Sequence, residues 1–293
     1  MNAQTLHEAL IAAGFEHGPD VIEPGRMYRF PGIGKRRGNK AGWCKLFDDG
    51  RGAVFGDWAS GFTATWQAER QDSMTPAERA RFKREIAKAR RERDQEDRQK
   101  WQQAAIEARR QWAAAIPETG AHRYLIAKQV QAHGIRSNGF QLLIPVHSID
   151  GDLQSLQIIN PAGSKCFLPG GRITGGMFTI GEIDPAGTIL ICEGYATGAT
   201  LHEDSGHPVV VAFNAGNLKP VSIAMRRKYP QADLVICGDN DRQTPGNPGE
   251  TKAREAAIAT GARLAIPQFD DDEPGTDWND WHLNRQGKQE VTA

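Results

Sequence analysis

Cysteine is scarce in this chain and never paired. Cys44, Cys166, Cys192 and Cys237 stand far apart with no Cys-x-x-Cys step. Zinc fingers and disulfide frameworks need recurring spacings, so neither is expected and no zinc is expected with them. No apolar run is long enough to cross a bilayer, and Met1-Asn-Ala-Gln-Thr-Leu-His7 lacks the pattern of a secretory signal. The expectation is a cytoplasmic chain with no membrane partner. Net charge is lacking as well: 36 basic side chains balance 36 acidic ones, so total charge selects no partner. There is no Gly-x-x-x-x-Gly-Lys-Ser/Thr loop, which argues against ATP-driven helicase chemistry. A Gly-x-Gly-x-x-Gly fingerprint with its ribose-binding acid is also missing, which argues against a nicotinamide enzyme. His202 and His207 have no third ligand in view and read as surface residues.

What is present is local. The 293 residues suffice for two domains. Basic residues gather between Arg26 and Lys45 and between Arg79 and Lys100, whereas Asp270 to Asp280 is acidic. That asymmetry fits contact with phosphate in one region and metal in another. In Thr188-Ile-Leu-Ile-Cys-Glu-Gly-Tyr-Ala-Thr-Gly198 an apolar run without alternation gives way to Glu193 and a glycine-bracketed turn. Such a run reads as a parallel strand covered on both faces, and ligands in open α/β sheets gather at strand carboxyl ends. An ordinary surface Glu in a strand-to-helix turn is the plainer reading of that stretch alone. Ala232-Asp-Leu-Val-Ile-Cys-Gly-Asp-Asn-Asp241 repeats the pattern and ends on Asp239 and Asp241. Unpaired, neighbouring carboxylates repel and one protonates; a divalent cation relieves the conflict, and Mg²⁺ prefers hard oxygen ligands.

Glu193-Gly-Tyr-Ala-Thr-Gly198 followed by Gly238-Asp-Asn-Asp241 resembles the TOPRIM domain of plasmid-encoded and satellite-phage primases. The six-residue motif is particular to that branch. The Glu…Asp-x-Asp frame is shared with topoisomerases, bacterial replicative primases and some nucleases. The resemblance covers roughly 120–285, with a weaker likeness over the first seventy residues. It implies catalytic Glu193, Asp239 and Asp241 holding Mg²⁺ (or Mn²⁺). Asp277 and Asp280, in Asp277-Trp-Asn-Asp-Trp-His282, are similar to a segment closing the domain in relatives and would add metal or water ligands; Asp277 could equally cap a helix. Lys165 and Arg172, in Lys165-Cys-Phe-Leu-Pro-Gly-Gly-Arg172, are implied to touch template or nucleotide. Lys252 matches a lysine recurring after the acidic pair and is assigned to nucleotide phosphate, at a helix start that itself attracts anions. Gly194 and Gly198 would let backbone approach the nucleotide, and Asn214 in Asn214-Ala-Gly-Asn217 would line the same cleft.

Four segments are expected. Residues 1–70 form a small β-rich module after a short helix near 5–14. Arg29, Lys35, Arg36, Arg37, Trp43 and Trp58 interleave charge and aromatics there, a plausible surface for single-stranded DNA; a small core with a solubilising coat fits the same residues. The module resembles the one preceding the catalytic core of phage and plasmid primases, in a zinc-free version. Residues 75–116 read as a charged, solvated helical linker begun by Thr75-Pro76. Residues 120–186 read as a β-rich primase subdomain with a hairpin across Asp150-Gly151. From 187 to 293, strands near 189–192, 209–213, 234–237 and 263–266 alternate with helices near 198–203, 219–227 and 251–260. This α/β alternation implies a compact Rossmann-like parallel sheet, the TOPRIM arrangement.

The resulting expectation is a DNA primase making short primers on single-stranded DNA from Mg-bound nucleoside triphosphates, with room for a separately encoded helicase. The alternatives are a TOPRIM-type metal-dependent nuclease and a non-catalytic single-strand-binding accessory.

Overall fold

The computed structural model describes residues 5–68 and 75–292, which divide into two compact units, Met1–Arg98 and Gln99–Ala293. In the first, Thr5 and Glu8 exchange side-chain-to-backbone hydrogen bonds as a capping box that starts α1 (Leu6–Ala12). Strands β1 (Met27–Phe30), β2 (Gly42–Leu46), β3 (Gly52–Asp57) and β4 (Phe62–Gln67) form an antiparallel meander in sequence order. Side chains alternate across this sheet. Cys44, Ala53 and Phe55 join Leu6, Leu10, Phe15 and Phe30 on the α1 side. Trp43, Phe47 and Val54 meet Ala89 and half-buried Phe82 and Ile86 on the other.

Those last three belong to α2 (Pro76–Ala114), which begins at the expected proline. The helix is not wet all round. Farther along, Ala104, Ala108 and half-buried Trp112 pack in the second unit against Leu143, Leu156 and Leu168. The reading as a solvated connector is corrected at these positions: alanine, unremarkable in a charged sequence, is small enough to bring a helix backbone onto a sheet.

In the second unit β5 (Ile116–Pro117), α3 (Arg123–Lys128), β6 (Arg136–Ser137), β7 (Leu142–His147), β8 (Leu153–Ile159) and β9 (Lys165–Phe167) follow, the five strands forming an antiparallel sheet in sequence order. Hairpin β7–β8 turns where Asp-Gly predicts, with Gly151 at φ +94°. Then come β10 (Phe178–Ile180), β11 (Thr188–Cys192), α4 (Tyr195–Ser205), β12 (Val209–Val211), α5 (Ala215–Lys228), β13 (Asp233–Cys237), α6 (Pro248–Thr260), β14 (Arg263–Ala265) and α7 (Trp278–Thr292). The sheet order is β10-β12-β11-β13-β14; the last four run parallel and β10 joins antiparallel at an edge.

Both faces of this sheet are covered, as its unalternating apolar runs require. Ile189, Ile191, Val210, Leu234 and Ile236 pack with Leu218, Val221 and Ala253 from α5 and α6. Leu190, Cys192, Val209, Val211, Val235 and Cys237 pack with Tyr195, Ala196 and Ala199 of α4 and with Leu142 and Ile144 of β7. Cys192 and Cys237 are core thiols, with burial raising their pKa values. The helices begin earlier than their apolar periodicity indicates because Gly194, Asn214 and Asn247 cap them. Gly194 and Asn214 follow β11 and β12 within three residues, and the longer loop after β13 returns to the same rim, where the Gly249 N–H at the start of α6 meets Asp241.

Candidate functional site

β11 and β13 are parallel neighbours ending in register, Cys192 opposite Cys237. Glu193 therefore leaves one strand where Gly238 and Asp239 leave the next. Glu193 Oε1 and Asp239 Oδ1 are buried with no hydrogen-bond partner. Burial raises the Glu193 pKa, as do Asp241 and Asp277, against a hydrogen bond from the Ala215 N–H at the start of α5. Burial raises that of Asp239 further, followed by Glu193, Asp277 and Asp241, with Lys165 opposing. Asp241 Oδ2 accepts from the Gly249 N–H at 3.0 Å, pinning the start of α6. A Cβ on Gly249 would stand 2.7 Å from the Asp239 carbonyl oxygen, so only glycine permits this approach.

Among the described residues no three His, Cys, Asp or Glu side chains converge to hold a metal unaided. Mg²⁺ usually keeps several waters and shares its coordination with substrate phosphates rather than sitting in an all-protein cage. Buried carboxylate oxygens without donors are the positions a hard cation would satisfy, so the residues present fit the ion.

The loops around the carboxylates are tied by residues that sequence reasoning passed over. Asn240 donates its N–H to the Thr276 carbonyl at 2.7 Å and its Nδ2 to the Pro267 carbonyl at 3.0 Å. Its Oδ1 accepts from Asn247 Nδ2 at 3.0 Å. Arg242 donates to the carbonyls of Phe269, Asp270 and Glu273. The segment leading to Asp277 is thus fastened to the acidic pair. The only signal in the sequence was a polar residue between two aspartates.

Two lysines approach from the antiparallel half of the unit. Lys165 is exposed as a residue, yet its ammonium reaches inward, 3.8 Å from where a Cβ on Gly194 would stand and 5.7 Å from the Tyr124 ring centroid. Burial lowers its pKa, while Asp277 and Asp239 pull it back up. Lys128 stands 3.2 Å from Asp280 Oδ1 and 4.0 Å from Asp277 Oδ2. Nothing local to Lys128 in the sequence signals that pairing.

Several expected roles change. Asp280 gives one oxygen to Lys128 and the other to the Thr276 N–H, so its carboxylate serves the start of α7 rather than a metal. Asp277 Oδ1 accepts the Asp280 N–H at 2.9 Å, the capping role, while its charge still bears on Glu193 and Asp239. Gly198 lies inside α4, where a Cβ would come within 2.7 Å of Val211 Cγ2; it packs helix on sheet and does not face a nucleotide. Gly194 stays at the site as the cap of α4. Asn214 caps α5 by accepting the Asn217 N–H at 3.1 Å. Lys252 pairs with Glu255 at 2.9 Å, and Arg172 lies 5.1 Å over the Trp101 ring.

In the first unit Trp43 is 1% exposed beneath the Arg93 guanidinium and beside Trp58, a core residue rather than a stacking platform. Arg29 lies 4.7 Å over Trp58, with Glu96 and Asp97 at 3.9 and 4.0 Å, so its charge is already answered. Lys35, Arg36 and Arg37 are exposed on the loop before β2.

Residues 188–288 match the family described as Toprim domain. Two proteins of Escherichia coli, both named DNA primase TraC, are 34% and 31% identical to this chain over 89% of its length. The chain spans only 25% and 19% of those relatives. Among solved structures, the primase fragment of the bacteriophage T7 primase-helicase protein aligns over 61% of this chain and 74% of that one, at 16% identity and a TM-score of 0.45.

Proposed function

We propose that this chain, with its Toprim domain at 188–288, is a DNA primase that makes short primers on a single-stranded DNA template from nucleoside triphosphates. The observation carrying this reading is the pair of partnerless buried oxygens, on Glu193 and Asp239, at neighbouring parallel strand ends. With Asp241 they would hold Mg²⁺ or Mn²⁺. The bound ion would neutralise triphosphate charge during attack by a 3′-hydroxyl.

The chain's own groups divide the remaining work. Lys165, whose charge is felt by Asp239 and Asp277, meets a phosphate oxygen once the ion balances the acids. Gly194 leaves room for phosphate beside that ammonium. Asn240 and Arg242 hold the loops still, so the acids need little reorganisation as charge develops. Lys252, released from Glu255, is available to the triphosphate from near the start of α6. Lys35, Arg36 and Arg37 offer charge to template. The identity to two proteins named DNA primase supports the reading over most of the chain.

The test is primer synthesis on single-stranded DNA with mixed nucleotides and Mg²⁺, resolved on a gel. The wild type is expected to give short products that vanish in Asp239→Ala and Asp241→Ala. Fragments of labelled DNA formed without nucleotides would favour the nuclease alternative. Strand binding without any metal-dependent product would favour the accessory alternative.

A further inference from the structure

We propose that the cleft between the start of α3 and the turns at 138–141 and 160–162 is a subsite for single-stranded DNA. A base stacks on Phe140 and Arg123 meets the adjoining phosphate. The proposal rests on the primase reading and adds a binding site on the catalytic unit. The cleft has a volume of about 680 Å³ and is lined by His122, Arg123, Phe140, Asn160, Pro161 and Ala162, among others. Its size lies within the ~300–1,000 Å³ usual for ligand clefts.

Phe140 is 66% exposed, on a turn that is firmly held. The Phe140 and Gln141 N–H groups donate to Asn138 Oδ1 at 3.1 and 2.8 Å, and the Gly139 N–H donates to Ser137 Oγ at 3.0 Å. The Phe140 carbonyl meets buried His122 at 3.1 Å. An apolar ring presented to water on so fixed a mount is preorganised for a flat partner. The opposite wall is fixed too, Asn160 Oδ1 accepting from the Ala162 and Ser164 N–H groups at 3.0 and 2.9 Å. Arg123 is exposed and pairs with no carboxylate among the described residues. Aromatic faces with unpaired cations are how sequence-tolerant single-strand sites are built.

The cleft also adjoins the chemistry. Tyr124, next to Arg123, turns its buried ring toward Lys165, and a Cβ on Gly163 would stand 3.6 Å from that ring. One turn, 160–165, therefore borders the cleft at Asn160–Ala162 and the carboxylate site at Lys165. A protein partner could also cover Phe140, but the guanidinium of Arg123 in the same cleft favours a polyanion.

Binding of a fluorescein-labelled oligothymidylate is to be followed by anisotropy on the full chain, without metal or nucleotides, across a salt series. Phe140→Ala is expected to weaken binding about 5- to 100-fold, with Phe140→Trp close to wild type. Arg123→Ala is expected to weaken binding and to reduce the slope of log K against log salt by about 0.7. Duplex binding should respond little to Phe140→Ala, because its bases are already stacked. A strand carrying 5-iodouracil should crosslink to the peptide containing Phe140, separating this site from any binding in the first unit. Wild-type affinity in both alanine variants, or crosslinks confined to residues 26–45, overturns the proposal. So does a changed sedimentation coefficient with unchanged strand affinity, which marks a contact between copies. Loss of binding in Phe140→Ala from a wild type that makes no primer keeps the subsite and refutes the polymerase reading. Primer synthesis with unaltered binding does the reverse.

Discussion

Glu193 and Asp239 follow adjacent parallel strands that end in register, and each keeps one carboxylate oxygen buried without a donor. In a protein interior a charge in that condition is costly and is retained only where something else answers it. The charge of Lys165 opposes this at Asp239, lessening the conflict without removing it.

The first consequence is a pH dependence of stability. Burial, then neighbouring acids, holds both carboxyls above the ordinary range. A raised folded-state pKa contributes stability that is full below the unfolded value and is lost as pH rises through the folded one. The metal-free protein is expected to melt lower as pH rises from about 5 to about 8.5, and Asp239→Asn to flatten that slope. Thermal melts in chelator, at several pH values, check it; a melting temperature that climbs with pH in the wild type would refute it.

Asn240 is expected to act as a positioning residue. Asn240→Ala removes two side-chain hydrogen bonds that tie the 267 and 247 loops to the acidic pair. Stability should fall by about 1–3 kcal/mol and metal affinity by about 10- to 100-fold. Chemical denaturation and metal titration measure the two separately. An unchanged metal affinity would leave Asn240 a purely structural link.

Trp43 and the basic loop should separate cleanly. Trp43→Ala empties a core position and should cost about 3–5 kcal/mol. Replacing Lys35, Arg36 and Arg37 together by Ala should leave the melt unchanged and lower the salt slope of strand binding by up to about 2. A stable Trp43→Ala protein that has lost only strand affinity would restore the surface role.

The legible parts of this fold were those with an unbroken local signal. Ile189–Ile191 and Leu234–Ile236 read as doubly covered strands and are so, and the acids ending them share a rim. Phe178–Ile180 escaped because three residues carry no period, and it becomes a strand only by pairing with β12. Trp43 misled because it follows a run rich in Lys and Arg and shares a strand face with Lys45. Glu92 of α2 answers that lysine and Arg93 covers the indole, a partnership invisible until the helix is placed. Lys128 and Asp280 meet only through tertiary structure, so no local pattern could connect them.

The central claim is that Glu193, Asp239 and Asp241 jointly hold a divalent cation shared with a triphosphate. Calorimetric titration of Mn²⁺, with a non-hydrolysable nucleoside triphosphate present, tests it most directly. The account predicts saturable binding in the wild type, weakened at least about 10-fold in each of Glu193→Gln, Asp239→Asn and Asp241→Asn and little changed in Asp280→Asn. Wild-type Mn²⁺ affinity in both Glu193→Gln and Asp239→Asn would contradict it.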